Sequence, residues 1–499
     1  MELFEHLFFG FSVAVTLPNL FYCLIGVSVG TLIGVLPGIG PLATIAMLLP
    51  ITYNVSAVSA LIMLAGIYYG AQYGGSTTAI LVNLPGETSA IVTCIDGYQM
   101  ARQGRAGPAL AIAAIGSFIA GTFGTFMIAL AGPPLAEVAL KFGAPEYFSL
   151  MLMGLIAAAV LAQGDMVKSL AMVAVGLLLG IVGLDVNTGV PRFTFGITEL
   201  SDGIGFIVVA VGVFAVSEIV SNLGAPEEKR AVFDTRVTHL YPTRDDLKRS
   251  LGPIVRGTGI GSFFGVLPGT GPAIASFASY MVEKKIAADP SRFGKGAIEG
   301  VAGPESANNA DAQCKFIPML TLGLPASGVM ALMLGAMTIQ GIQPGPEVMV
   351  QRPELFWGLV ASMWIGNLML VVLNLPMIGI WVKLLKLPYR LLFPAIMAFS
   401  AIGVYSVNSS AVEIYLTAGF GVLGFVLMRL GFPPAPMLLG FVLGPMMEEH
   451  LRRAMLMSKG DPSVFVTHPI SLVFLIASAL ILVVMVLPAV RQRRGEITD

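Results

Sequence analysis

The sequence contains the same helix-breaking phrase twice, each time inside an apolar segment. Residues 34–41 read GVLPGIGP and residues 265–272 read GVLPGTGP, so seven of eight positions match across a separation of 231 residues. Proline removes a backbone N–H and glycine favours turns, so neither phrase continues a regular helix. In hydrocarbon, the freed backbone groups persist only where protein or a wet cavity satisfies them. A fold for this chain must therefore bury two equivalent breaks.

Long apolar segments indicate a polytopic membrane protein. Of the 499 residues, 56% are hydrophobic and 11% are charged, against roughly 25% charged in a soluble domain. Segments such as 108–132 and 355–384 are long enough to cross a hydrocarbon core of about 30 Å. The net charge of −1 does not favour a nucleic-acid partner. We expect an all-α fold of about 12 membrane segments in a lipid bilayer.

The duplication extends over both halves of the chain. Glycines spaced by four residues precede each phrase, as Gly26, Gly30 and Gly34 and again as Gly257, Gly261 and Gly265. Such spacing allows two helix backbones to approach closely. A second pair of proline-containing breaks follows, LVNLPGETS at 81–89 and LTLGLPASG at 320–328. We therefore predict two repeats, each with two re-entrant or broken helical hairpins.

The distribution of basic residues predicts that the two repeats have inverted topology. Residues 51–56 carry no charge, whereas their counterpart, residues 282–297, carries four Lys and Arg residues. The positive-inside rule places the basic loop in the cytoplasm. The predicted parts are a first inverted repeat (1–223), a cytoplasmic linker (224–252), a second inverted repeat (253–460), and an extra transmembrane helix with a basic cytoplasmic tail (461–499). Residues 1–17 form either an interfacial helix or a short extra span.

The first pair of breaks supplies groups that suit an anion and a small cation. A half-helix that begins at Gly40-Pro41 or Gly271-Pro272 directs its N-terminal N–H groups toward the break, which favours a carboxylate. Unwound carbonyl oxygens favour a hard cation such as sodium. The predicted ion-binding residues are Pro37, Gly38, Ile39, Pro268, Gly269, Thr270 and Asp311.

Polar side chains surround the second pair of breaks, at a depth where they mark substrate or ion pathways. The predicted substrate-binding residues are Gly40, Ser76, Thr77, Thr78, Asn83, Gly86, Gly271, Asn308, Asn309 and Ser327. A single Ser or Thr has an alternative role, which is to bond its own helix backbone. Asp311 and Lys315 either pair within a helix or leave Lys315 to neutralise an acidic substrate. Glu218 and the Glu448-Glu449 pair end corresponding helices and are interpreted as interfacial charges.

Five phrases are distinctive in combination. They are GVLPGIGP and YYGAQYGGSTTAILVNLPGE in the first half and GVLPGTGP, AIEGVAGPESANNA and TLGLPAS in the second. In these phrases the sequence resembles the large membrane subunit of tripartite tricarboxylate transporters, the TctA family. The resemblance covers nearly the whole chain. It implies a bacterial inner-membrane permease, with a small four-helix membrane subunit and a periplasmic solute-binding protein as partners. The implied function is symport of citrate or another di- or tricarboxylate with sodium or protons. No cofactor is expected.

Two other functions compete with that of an importer. An uncoupled channel for small organic anions more often uses rotational symmetry around one pore. A membrane-embedded enzyme needs a convergent set of acid, base or nucleophile. The four histidines lie near the N-terminus, in the linker or near a helix end, at His6, His239, His450 and His468. We therefore expect no catalytic residues and no enzymatic activity.

Overall fold

The computed structural model describes residues 2–36, 40–161, 165–185, 188–223, 240–384 and 389–486. Helices form almost all of its regular structure; the strands described are β1 (Gly183–Leu184) and β2 (Pro191–Arg192), which pair antiparallel. Four helices in these ranges are long and apolar enough to cross a membrane, namely Leu17–Val35, Ala106–Ala139, Pro353–Asn374 and Ala411–Arg429. The chain is therefore an all-α membrane protein, as predicted.

The described residues of the first half form ten α-helices. They are α1 (Glu2–Ala14), α2 (Leu17–Val35), α3 (Pro41–Thr52), α4 (Ala57–Val82), α5 (Ile91–Arg102), α6 (Ala106–Ala139), α7 (Ala144–Leu161), α8 (Met166–Gly180), α9 (Phe206–Ala210) and α10 (Ser217–Leu223) among the described residues. Short 3₁₀ helices cover Thr88–Ala90 and Thr198–Leu200, and a π-helix over Val211–Val216 joins α9 to α10.

The described residues of the second half form thirteen α-helices. They are α11 (Arg244–Val266), α12 (Pro272–Ile286), α13 (Glu299–Cys314), α14 (Phe316–Leu322), α15 (Gly328–Ile339), α16 (Glu347–Gln351), α17 (Pro353–Asn374), α18 (Ile378–Leu384), α19 (Tyr389–Asn408), α20 (Ala411–Arg429), α21 (Pro434–Met457), α22 (Val464–Thr467) and α23 (Pro469–Val486), with a 3₁₀ helix at Pro290–Arg292. Helix α11 begins nine residues before the predicted boundary at 253, because Thr243 and Asp246 form a capping box at its start.

Both predicted pairs of breaks interrupt helices at equivalent places. Gly40 and Gly271 precede α3 and α12, and each of these helices begins with a proline, whose fixed φ suits the first helical turn. The second breaks follow Asn83 and Gly323, which end α4 and α14 in the left-handed conformation with φ of 58° and 69°. A residue of this conformation commonly terminates a helix.

The glycines spaced by four residues are points of close contact between helix backbones. A Cβ on Gly26, Gly30 or Gly34 would lie 2.3, 2.5 or 2.3 Å from the carbonyl oxygens of Met63, Ile67 and Ala71. A Cβ on Gly257, Gly261 or Gly265 would lie 2.2, 2.1 or 2.7 Å from those of Gly303, Ala307 and Asp311. Since the numbers rise together, α2 is parallel to α4 and α11 is parallel to α13. Helices α3 and α12 must therefore run back toward the starts of α2 and α11.

The central helices α6 and α17 give the relative direction of these pairs. Gly121 and Gly132 of α6 pack against Asn367 and Phe356 of α17, so α6 and α17 are antiparallel. Helix α6 is parallel to α13, as the contacts of Gly116 with Ser306 and of Gly124 with Gln313 indicate. Helix α17 is parallel to α4, as the contacts of Gly358 with Val58 and of Gly366 with Tyr69 indicate. The α2–α4 pair is therefore antiparallel to the α11–α13 pair.

The second break of the first half lies between two helices that run in the same direction. After the break, Ser89 Oγ donates to Gln72 Oε1 of α4 at 2.9 Å, so the chain has folded back along this helix. Farther on, a Cβ on Gly97 of α5 would lie 2.8 Å from the side chain of Ile80. Both numbers rise together, so α5 runs in the same direction as α4. The non-helical segment between α4 and α5 carries the chain back along α4, so the two helices do not form the predicted helical hairpin.

The N-terminal helix α1 packs along α17. A Cβ on Gly10 would lie 2.4 Å from the Trp357 carbonyl oxygen, and the rings of His6 and Trp357 stack at 5.0 Å. With 13 residues, α1 is about 20 Å long, which is shorter than a hydrocarbon core of about 30 Å.

Candidate functional site

The helix breaks of both halves meet in one region. The Gly269 N–H donates to the Ala326 carbonyl oxygen at 3.0 Å, which joins the two breaks of the second half. In the first half, a Cβ on Gly86 would lie 1.8 Å from the Gly34 carbonyl oxygen, so the second break packs against the end of α2. Helix α12 packs against the 3₁₀ helix after the first-half break, and α15 packs against α3. Each half therefore contacts the breaks of the other.

Glu305 of α13 lies in a buried polar cluster beside these breaks. The residue is 1% exposed. Its Oε2 accepts a hydrogen bond from Ser76 Oγ of α4, and its Oε1 accepts one from Thr93 Oγ1 of α5. One carboxyl group of the second half is thus held by two hydroxyls of the first. The sequence placed Ser76 and Glu305 among the polar side chains around the second pair of breaks, but only Ser76 was selected for the site, and Thr93 was missed.

Asn308 and Asn309 lie one turn beyond Glu305 and have different surroundings. Asn309 Nδ2 donates to Ser117 Oγ of α6 at 2.7 Å and to the Glu305 carbonyl oxygen at 3.1 Å. Asn308 is 1% exposed and lies near the Glu305 carboxyl, but neither of its amide atoms completes a hydrogen bond within the described ranges. Burying a polar group without a hydrogen-bond partner costs about 1–3 kcal/mol of stability. The Asn308 amide is therefore available to a ligand.

A small pocket adjoins the cluster, between α4, α6 and the end of α17. Its lining contains the predicted residues Ser76 and Thr77, together with Tyr73, Leu110, Ala113, Ala114, Ser117 and Asn374. Asn374 is 4% exposed, and its Oδ1 has no hydrogen-bond partner among the described residues. The pocket is polar on the side that faces Ser76, and it connects the Glu305 cluster to a second unsatisfied amide.

Asp311 and Lys315 form an ion pair within the helical run of α13. Both side chains are fully buried, and Lys315 Nζ contacts Asp311 Oδ2. This is the intrahelical pairing that the spacing allowed. The second carboxylate oxygen, Oδ1, has no partner among the described residues. Asp311 Oδ1 is therefore not engaged by a described protein group, and the charge of Asp311 is balanced by Lys315.

Two predicted backbone positions at the first pair of breaks differ in their partners. The Gly40 N–H donates to Glu218 Oε1 of α10 at 2.9 Å. The interpretation of Glu218 as an interfacial charge therefore misses its contact with a helix start. Gly271 lies in open space, since a Cβ there would meet no atom within 4 Å. Pro37, Gly38 and Ile39 lie outside the described residues.

Several other predicted side chains bond their own backbone or cap a helix. Thr78 Oγ1 donates to the Gly75 carbonyl oxygen at 3.0 Å, and Thr270 Oγ1 donates to that of Phe264 at 2.6 Å. Ser327 Oγ accepts from the Met330 N–H at the start of α15. Three further predicted residues have other surroundings: Asn83 is exposed, Pro268 is half-buried, and Gly86 is buried against Gly34.

Comparison with known proteins agrees with this architecture. The profile of the tripartite tricarboxylate transporter TctA family matches residues 20–439. The chain belongs to this family. It is 60% identical over 497 residues to the uncharacterized 52.8 kDa protein in the TAR-I ttuC' 3'region of Agrobacterium vitis, across 100% of this chain and 99% of that protein. It is 59% identical over 237 residues to the uncharacterized protein in the TAR-II ttuC' 3'region of the same organism, across 48% of this chain and 98% of that protein.

No solved structure matches the chain. Membership of the TctA family makes it a membrane component of a tripartite transporter.

Proposed function

We propose that this TctA-family chain is the permease of a binding-protein-dependent importer that takes up di- and tricarboxylates such as citrate, driven by an ion gradient. The observation that carries the proposal is the meeting of broken helices from both halves around buried polar side chains. Secondary transporters typically bind substrate and coupling ion at such breaks. Its proposed partners are a small four-helix membrane subunit and a periplasmic solute-binding protein.

We infer that residues 1–223 and 253–460 are inverted repeats, joined by the linker 224–252 and followed by the extra helix and tail of 461–499. The opposite directions of the α2–α4 and α11–α13 pairs support this inference. The outer helices also pair across the halves: α8 packs in parallel on α21, and α20 packs in parallel on the π-helix. About 12 membrane segments follow, with the linker and the C-terminus in the cytoplasm of a bacterial inner membrane.

The proposed substrate site lies at the start of α12, near Asn308. Ser276 Oγ of α12 donates to the Pro304 carbonyl oxygen at 3.3 Å, and Tyr280 contacts Gly300 one turn earlier on α13. Because the two helices are antiparallel, the first turn of α12 lies at the level of Asn308. The helix start favours a carboxylate, and the free Asn308 amide can bond a second oxygen of the same ligand.

Uptake into proteoliposomes tests the proposed function. The purified chain and its small membrane subunit are reconstituted, and radiolabelled citrate is supplied with the periplasmic binding protein encoded beside this gene. We expect saturable uptake that requires the binding protein and an ion gradient. Fast, unsaturable conductance without either would instead indicate a channel.

Replacing Asn308 with alanine is expected to weaken substrate binding without impairing the fold. Hydrogen bonds to charged groups contribute about 1.5–3 kcal/mol, so the half-saturation concentration should rise roughly tenfold or more. Asn309→Ala is the matched control, because Asn309 already bonds Ser117. That variant should lower the Tm and change half-saturation less. An unchanged half-saturation concentration in Asn308→Ala would remove Asn308 from the site.

Replacing Glu218 with glutamine is expected to lower the maximal uptake rate roughly tenfold. Its carboxylate binds the start of α3, and a neutral amide makes a hydrogen bond about half as strong. The described conformation, in which α3 packs on the π-helix, would therefore be less stable. Glu449→Gln is the control, because Glu449 pairs with Arg453 at the exposed surface and contributes little. A raised half-saturation concentration with an unchanged maximal rate would instead place Glu218 in the substrate site.

A further inference from the structure

We propose that Glu305 is the proton-binding group that couples transport to a proton gradient, and that the Ser76 hydroxyl connects it to the adjoining pocket. The proposal rests on the proposed function as an importer. The sequence does not distinguish sodium ions from protons as the coupling ion. Here the coupling ion is the proton, and Glu305 is the residue that binds it.

Glu305 is almost fully buried, and no Lys, Arg or His pairs with it in the described part of the chain. The cation on its own helix, Lys315, is paired with Asp311. Its oxygens accept the Ser76 and Thr93 hydroxyls, and the uncharged Asn308 amide lies beside them. An ionised carboxylate that is buried without a charged partner is strongly disfavoured, so this group needs a proton at some stage of the transport cycle.

The Ser76 hydroxyl can form a hydrogen bond with Glu305 in both protonation states of the carboxyl group. Ser76 Oγ lies within hydrogen-bond distance of Glu305 Oε2 and also of the Gln72 carbonyl oxygen, at 3.1 Å. When Glu305 is ionised, the Ser76 hydroxyl donates to it. When a proton binds Oε2, the new O–H donates to Ser76 Oγ, and the serine hydrogen turns to the Gln72 carbonyl oxygen. No buried polar atom loses its partner in either state, and Thr93 continues to donate to Oε1.

The adjoining small pocket gives access to Glu305. Ser76 lines it together with Thr77, Ser117 and Asn374. The Asn374 Oδ1 is buried and without a partner among the described residues. A buried water needs two to four polar partners, and these side chains can supply them. A proton carried by water in the pocket would therefore reach Glu305 across one serine hydroxyl.

Among the other described carboxyl groups near Glu305, most are paired with a cation or accept several hydrogen bonds, and Glu87 is the exception. The ionisable groups facing Glu305 from neighbouring elements are Tyr73 on α4, Cys94 on α5 and Glu87 in the first-half break. On or near α13, Asp311 pairs with Lys315, Glu283 pairs with Arg256, and Asp96 accepts three backbone N–H groups and the Tyr280 hydroxyl. Glu87 is the other carboxyl that accepts only a hydroxyl, from Ser89, but it is less buried. It therefore provides a matched control.

The test uses the complete transporter in proteoliposomes, with its binding protein and labelled citrate. A pH gradient, acid outside, is imposed without a sodium gradient. We expect the wild type to accumulate citrate above the outside concentration. Glu305→Gln mimics the protonated side chain, so its uptake should stop at equilibrium and should not respond to the pH gradient. Glu87→Gln should still accumulate citrate.

A second variant and a spectroscopic measurement keep the test independent of the folding of Glu305→Gln. Ser76→Ala should slow the uptake driven by the pH gradient roughly tenfold or more, since it removes the proton-transferring hydroxyl. In infrared titration of the purified protein, the C=O stretch of a protonated carboxylic acid should disappear as the pH rises, and Glu305→Gln should lack this band.

Three outcomes would overturn the coupling role: wild-type accumulation driven by sodium alone, continued response of Glu305→Gln to the pH gradient, or carboxylic-acid infrared bands that are identical in the wild type and in Glu305→Gln. Absence of saturable citrate uptake by the wild type under any gradient would instead overturn the proposed function itself.

Discussion

Replacing Gly261 with leucine is expected to force α11 away from α13 and to destabilise the protein by at least about 3 kcal/mol. A Cβ at this position would lie 2.1 Å from the Ala307 carbonyl oxygen. It would also lie 2.8 Å from both the Cα and the carbonyl carbon of Ala307. Overpacking typically costs about 1–3 kcal/mol where side chains can adjust, but here the obstacle is helix backbone. The measurement is thermal unfolding of the purified protein in detergent, where we expect a lower Tm.

Gly259→Leu is the matched control on the same helix. Gly259 is exposed, and a Cβ there would meet no atom within 4 Å, so its effect should stay within about 0.5 kcal/mol. Gly30→Leu should reproduce the loss in the first half, because a Cβ on Gly30 would lie 2.5 Å from the Ile67 carbonyl oxygen. Equal Tm values for Gly259→Leu and Gly261→Leu would contradict the close packing of α11 on α13.

Features set by local stereochemistry could be predicted from the sequence. Proline and glycine fix where a helix stops, so the breaks before Pro41 and Pro272 were predicted correctly. The spacing of small residues likewise predicted which helix faces approach closely, as at Gly26 and Gly257. The intrahelical pair of Asp311 and Lys315 follows from a spacing of four residues. Each of these depends on residues within one or two turns of each other.

Contacts between distant segments could not be predicted in this way. Glu305 and Ser76 are 229 residues apart in the chain, and Gly40 and Glu218 are 178 residues apart. Without the relative placement of α4, α10 and α13, either acid could equally have faced a membrane interface. The path of α5 was missed for a similar reason, because it depends on how the second break packs against Gly34. The sequence therefore predicted the breaks, but not the partners of the groups around them.

Replacing Gly86 with alanine is expected to abolish transport while leaving the protein folded in the membrane. Its added methyl group would lie 1.8 Å from the Gly34 carbonyl oxygen and 2.9 Å from the Gly75 Cα. The second break of the first half would have to move away from α2, and the segment carrying Ser89 would move with it. A displacement of about 1 Å near a functional site can reduce a rate by about 100-fold, and we expect citrate uptake to fall by at least that factor.

Gly75→Ala provides the sharpest control, because Gly75 faces the same segment from α4. A Cβ on Gly75 would lie 3.5 Å from the Glu87 nitrogen and 3.6 Å from the Ala90 Cβ, which are ordinary contacts. The two variants therefore add the same methyl group to opposite sides of one interface, and only Gly86→Ala should displace it. Normal uptake in Gly86→Ala would show that the break tolerates movement and does not form part of the site. Equal loss in both variants would show that any added volume impairs this region, whatever its contacts with α2.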